Sequence, residues 1–98
     1  MAGYLVASVK WHDAEAATRY YHMVLESLKP FDGKYLARGA PAFVLEGDQT
    51  PARLAMIEFP TPDHADRWHQ SDDYAAARKV REEFAETYWI VVMEQLAR

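Results

Sequence analysis

The chain has no cysteine, only four glycines, no long apolar run and no excess of basic residues. Each absence excludes something. Without cysteine there is no disulfide framework, no thiolate nucleophile and no cysteine-type zinc site. With no run near the ~20 apolar residues that span a bilayer, no transmembrane helix is expected. The start "MAGYLVASVKWHD" has no basic leader and is too short and too polar for a signal peptide, which points to a cytoplasmic protein. A net charge of −4 gives neither nucleic acid nor an anionic membrane a basic patch to bind. The few glycines form no phosphate-cradling loop: "RGAPAFVLEG" lacks both the spacing and the helix that should follow. What remains is ordinary globular composition, 50% hydrophobic and 27% charged over 98 residues, enough for one domain over residues 1–98. A domain of that size has a small core, and association with a second copy would help it.

The order of elements can be read from punctuation and periodicity. "YLVASVKW" (4–11) is a strand. Asp13 can cap the helix that follows, in which Ala17, Tyr21, Val24 and Leu28 make one apolar stripe until Pro30 and "FDG" stop it. Residues 34–38 and 42–46 read as extended segments, with a bend at Gly39, Ala40 and Pro41 and a turn at "GDQTP" (47–51). "RLAMIEF" (53–59) is the clearest strand. Thr61 with Pro62 starts a second helix, and Ser71 recaps it so that "DDYAAARKVREEFA" continues. "TYWIVVME" (87–94) is the last strand. The βαββαβ order predicts an α+β, ferredoxin-like fold, an antiparallel sheet with both helices on one face.

Even positions of the long strands carry Tyr4, Val6, Leu54, Met56, Tyr88 and Ile90. Odd positions carry Leu5, Val9, Ile57, Phe59, Trp89 and Val91. Both faces of the sheet should therefore shun water, and helices can cover only one. A homodimer with sheets packed face to face covers the other.

The blocks "FDGKYLARG", "VLEGD", "RLAMIEFP" and "WHQSDDYAAARKVR" resemble the bacterial family called domain of unknown function 1330. That pattern has a Phe/Tyr-Gly-Gly-Lys-aromatic-Leu-x-Arg-Gly segment, an Ile-Glu-Phe strand, and a helix with Trp, Ser and Tyr at three-residue intervals, as at Trp68, Ser71 and Tyr74. Asp32 departs from it, standing where the family has the first glycine of the pair. The resemblance implies the dimeric α+β barrel superfamily, whose members include cofactor-independent monooxygenases, isomerases, haem proteins and proteins without known activity. It implies architecture and little chemistry.

Candidate site residues come from the chain itself. Glu58 is a carboxylate inside "AMIEFP" and needs a cation or a shifted pKa if buried. Counting outward from the turn at 47–51 brings Arg38 near residues 58–60, so Glu58 and Arg38 can meet, either as a buried ion pair fixing register or as a site. In a site, Glu58 would transfer protons and Arg38 would anchor an anion. Trp68, His69 and Tyr74 form a second cluster, with Trp68 packing helix on sheet and His69 able to titrate near neutrality. Of the adjacent phenols Tyr20 and Tyr21, one must face the core while the other can reach a pocket. His64 and His69 do not share a helix face, so no metal site is expected, and no cofactor. The reading reached is a homodimer with a small-molecule pocket between helices and sheet. The alternatives are a cofactor-independent enzyme on a small organic acid or aromatic, using Glu58 or His69, and a structural or stress-related dimer without ligand.

Overall fold

In a computed structural model, which describes residues 1–40, 42–48 and 52–97, the chain forms one four-stranded sheet with helices on one face. The strands are β1 (Gly3–Trp11), β2 (Lys34–Ala40), β3 (Arg53–Phe59) and β4 (Ala85–Glu94), in the spatial order β2-β3-β1-β4 and antiparallel throughout. The helices are α1 (Ala14–Leu28), α2 (Pro62–Gln70) and α3 (Asp72–Phe84). This is the ferredoxin-like arrangement: the first crossover, through α1, carries β2 one strand beyond β1, β3 fills the place between them, and the second crossover returns β4 to the other side of β1.

The capping residues act as the sequence suggests. Asp13 accepts from the Ala16 N–H, Thr61 from His64 N–H, and Ser71 from Tyr74 N–H. Ser71 is extended, with ψ 157°, and its own N–H bonds Trp68 O; it therefore ends α2 and starts α3, making two helices where a single recapped one was expected. A single 310 turn (Lys29–Phe31) with Pro30 at its start closes α1. Asp32, the departure from the family pattern, follows in the left-handed region at φ 54°. A glycine would sit there freely, and aspartate is among the few residues that visit it at modest cost.

The register of β2 corrects two expectations. Residues 42–46 are not a strand; β2 itself reaches Ala40, and residues 42–48 have no ladder. Pairing runs Lys34↔Glu58, Tyr35↔Ile57, Ala37↔Met56 and Ala40↔Leu54, with irregularities between Tyr35 and Ala37 and again before Ala40. Gly39 takes φ +52° there, so the bend lies within the paired strand. Pro41 and most of the 47–51 turn (49–51) lie outside the described residues.

The faces of the sheet also differ in detail from simple parity. Leu5 pairs with Ile57 and Val92, and Ala7 with Ala55 and Ile90, so odd positions of β1 and β3 share a face with even positions of β4. A bulge between Ser8 and Val9 shifts the register farther along. The helix-side face supplies Leu5, Ile57 and Phe59 to a core completed by Val24, Leu28 and Trp68. The opposite face carries Tyr4, Val6, Met56, Trp89, Val91 and Met93, with no helix over it. Trp89, Val91 and Met93 are 44, 42 and 52% exposed, so a largely apolar face stays open to solvent in the isolated chain. Among the described residues no helix is long and apolar enough to cross a membrane.

Candidate functional site

Between the sheet and the helices lies a cavity of about 280 Å³. Its sheet side is built from small and medium residues of β1 and β3, Ala7, Val9 and Ala55 among them, and their small size is what leaves the space. Its aromatic walls come from Trp11 at the end of β1, Tyr20 and Tyr21 on α1, and Tyr35 on β2. Trp68 of α2 and Tyr74 of α3 close the deep end, and Arg38, Gly39 and Arg53 stand at the rim.

The deep end is held by a hydrogen-bond relay. The Trp68 indole N–H donates to Ser27 Oγ at 2.9 Å, and Ser27 Oγ–H donates to the Val24 carbonyl at 2.8 Å. This satisfies both polar groups inside the core. Trp68 stacks obliquely on Tyr74, ring centroids 4.1 Å apart, and touches Phe59 on its other side. Tyr74 is buried and its hydroxyl lies 2.7 Å from that of Tyr20, while the buried Arg81 donates from Nε to Tyr74 Oη at 3.2 Å. Arg81 also donates from Nη1 to Thr87 Oγ1 on β4. Burial, reinforced by the neighbouring Tyr74, pushes the Tyr20 phenol well above its ordinary pKa. Burial raises Tyr35 as well, with Tyr74 and Tyr21 adding to the effect. Both phenols are therefore neutral hydrogen-bond donors at neutral pH.

At the rim, the Arg38 guanidinium lies 3.6 Å above the Tyr21 ring, a cation–π contact that holds it against the cavity wall. The ion pair with Glu58 is not formed. Glu58 stands between the buried Ile57 and Phe59, so strand alternation sends it to the open face, opposite Tyr4 and Lys34. Arg38 belongs to the helix side, where it lines the same cavity mouth as Arg53, at the start of β3 and not its end. The difference arises because β2, and not residues 42–46, pairs with β3.

Of the six residues singled out in the sequence, Tyr20, Trp68, Tyr74 and Arg38 meet at the cavity; Glu58 and His69 do not line it. His69 lies behind Tyr74, ring centroids 5.8 Å apart, with its Nδ1 3.1 Å from Arg78 Nη2, and Arg78 also donates to the His69 carbonyl. Partial burial, with Arg78 and Arg81 nearby, lowers the His69 pKa below 6.5. Sequence reasoning missed Arg53, Arg81, Tyr35 and Trp11. Arg81 sits in a charged run of α3, a pattern that ordinarily marks a solvated face; its position seven residues after Tyr74, which puts both on one side of the helix, is the available signal. Among the described residues no three acidic or histidine side chains converge to hold a metal.

Comparison with known proteins agrees with the architecture. RPA0582, a protein of unknown function from Rhodopseudomonas palustris, superposes with a TM-score of 0.72 at 17% identity, over 99% of this chain and 84% of that one. HapK from Hahella chejuensis gives 0.60 at 12% identity, covering 98% and 94%. A dimeric protein of unknown function and ferredoxin-like fold from Bacteroides fragilis gives 0.55 at 15% identity, covering 96% and 95%. At such identities the likeness is one of fold. No curated protein matches the chain. A family model does match it, over residues 2–95, and the chain belongs to the family described as Domain of unknown function (DUF1330).

Proposed function

We propose that this protein is a homodimer, joined through the open face of its sheet, that holds a small organic molecule in the cavity between sheet and helices. The single observation behind the ligand is the cavity itself. A space of about 280 Å³ with aromatic walls and a few converging polar groups is costly to leave unfilled by side chains, and it lies near the lower end of the range for ligand sites. The dimer draws support from the exposed apolar residues of the open face and from relatives whose descriptions are of dimeric ferredoxin-like proteins. A cysteine-free acidic chain of this kind suits the cytoplasm.

A thermal-shift screen against small carboxylates and phenols tests the ligand. A true ligand at about a hundred times its dissociation constant adds roughly 2.7 kcal/mol. Ala55→Phe fills the cavity from the sheet side, so it should abolish the shift while the protein stays folded. No shift from any compound in the wild type favours a dimer of purely structural role. The cofactor-independent enzyme reading would use the same cavity, but neither Glu58 nor His69, its proton-transfer groups, lines it.

A further inference from the structure

The cavity's polar groups sort by position and sign. Its rim opens into a wider outer groove that shares Arg38 and Arg53 and adds Lys10, His12 and Asp13. Asp13 is the one carboxylate among these lining residues, and its Oδ1 already accepts from the Ala16 N–H as the cap of α1. A chain with net charge −4 thus lines this mouth with Lys10, Arg38 and Arg53; Glu86 stands across the ladder from Lys10, and the one carboxylate lining the groove is already engaged as a helix cap. The two arginine forks suit a carboxylate, which they can bind in bidentate fashion.

The deep end has a direction. Arginine can only donate, so Tyr74 Oη accepts from Arg81 Nε. If Tyr20 also donated to Tyr74, the Tyr74 proton would be buried without an acceptor, since Tyr74 makes no other side-chain hydrogen bond among the described residues. The arrangement that satisfies both phenols has Tyr74 donating to Tyr20. The Tyr20 proton is then free to point into the cavity, toward an acceptor that the protein does not supply.

Resting on the reading that the cavity holds a small molecule, we propose that its ligand is a planar aromatic carboxylate with an acceptor oxygen at the far end of the ring. The carboxylate lies against Arg38 and Arg53, the ring between the aromatic walls, and the far oxygen accepts from Tyr20. The volume suits a single ring with two small substituents better than a nucleotide, and no glycine-rich loop is present to cradle phosphate.

Isothermal titration calorimetry with three probes tests this: 4-formylbenzoate, benzoate without the far oxygen, and neutral 4-(hydroxymethyl)benzaldehyde. The first should bind tightest. Arg38→Gln and Arg53→Gln, both at exposed positions, should each weaken it about tenfold and leave the neutral probe unchanged. Tyr20→Phe, which keeps the ring, should weaken 4-formylbenzoate about fivefold to tenfold and leave benzoate alone. If the neutral probe binds as well as the acid and ignores the arginine variants, the cavity stands and the acid class is wrong. If none of the three binds, and Ala55→Phe changes nothing in the broad screen, the pocket reading falls together with it.

Discussion

At the scale of single residues, the deep end of the cavity depends on polar groups that are linked in short hydrogen-bonded chains. Ser27 is the acceptor for the Trp68 indole, and both are buried. Ser27→Ala leaves that N–H unsatisfied and should cost about 1–3 kcal/mol in urea unfolding, far more than its size implies. His69 gives a pH signature. Its pKa in the fold lies below the unfolded value of 6.5, so between the two the unfolded chain binds a proton that the native chain refuses. Its contribution is therefore fully present above pH 6.5 and is lost as the pH falls from there through the lower pKa of the folded state. Wild type should lose more stability than His69→Gln between about pH 7.5 and 5.5, measured as the difference in urea midpoints. Much of this was legible beforehand: Trp68, Tyr74 and Tyr20 stood out because large aromatics on amphipathic helices must meet something. The Arg81 contact did not stand out, because a charge run on a helix reads as solvated until a tertiary neighbour takes one of its members inside.

Secondary-structure elements are set by short-range chemistry, and here the sequence was a good guide. Asp13, Thr61 and Ser71 each cap a helix through a side-chain oxygen, as their positions before the amphipathic stretches implied. Ser71→Ala removes the cap of α3 together with the hydrogen bond from Ser71 Oγ to Trp68 O, and should cost about 1 kcal/mol by thermal or urea denaturation. Gly3 matters for a different reason. A Cβ there would lie 2.6 Å from the Pro62 backbone, so the start of α2 rests directly on β1. Gly3→Ala should destabilise by about 1–3 kcal/mol, because backbone and not a flexible side chain must move. The extent of β2 was the poorly read element. Glu58 pairs with Lys34 at the start of β2, and Arg38 lies beyond, among two ladder irregularities whose positions no local pattern in "KYLARGAPAF" gives.

For the whole molecule, the open sheet face is the decisive feature. Val91 lies on this face in the edge strand β4, beside Val6 of the central β1, and is 42% exposed. Val91→Arg in the proposed dimer would bury a charge without a partner, so it should give monomers in sedimentation at micromolar concentration. Its melting temperature should also lose the dependence on protein concentration that a dimer shows. The cavity lies on the other side of the sheet, and its aromatic walls should survive that change if each chain folds alone. Ligand binding by a monomeric Val91→Arg protein would place the whole site in one chain. A tightly bound dimer despite the new charge would remove this face as the interface.

Composition, periodicity and capping residues determined the order of strands and helices and the fact that both sheet faces are apolar, and short motif blocks carried the resemblance to the family, because all of these depend on near neighbours along the chain. Only the tertiary structure decided that Arg38 joins Arg53 and not Glu58, that Tyr20 ends a donor chain starting at Arg81, and that an aromatic cavity is left between the layers. Those outcomes depend on strand register and on how three helices settle over one sheet, and a one-residue slip in register would have sent each side chain to the opposite face.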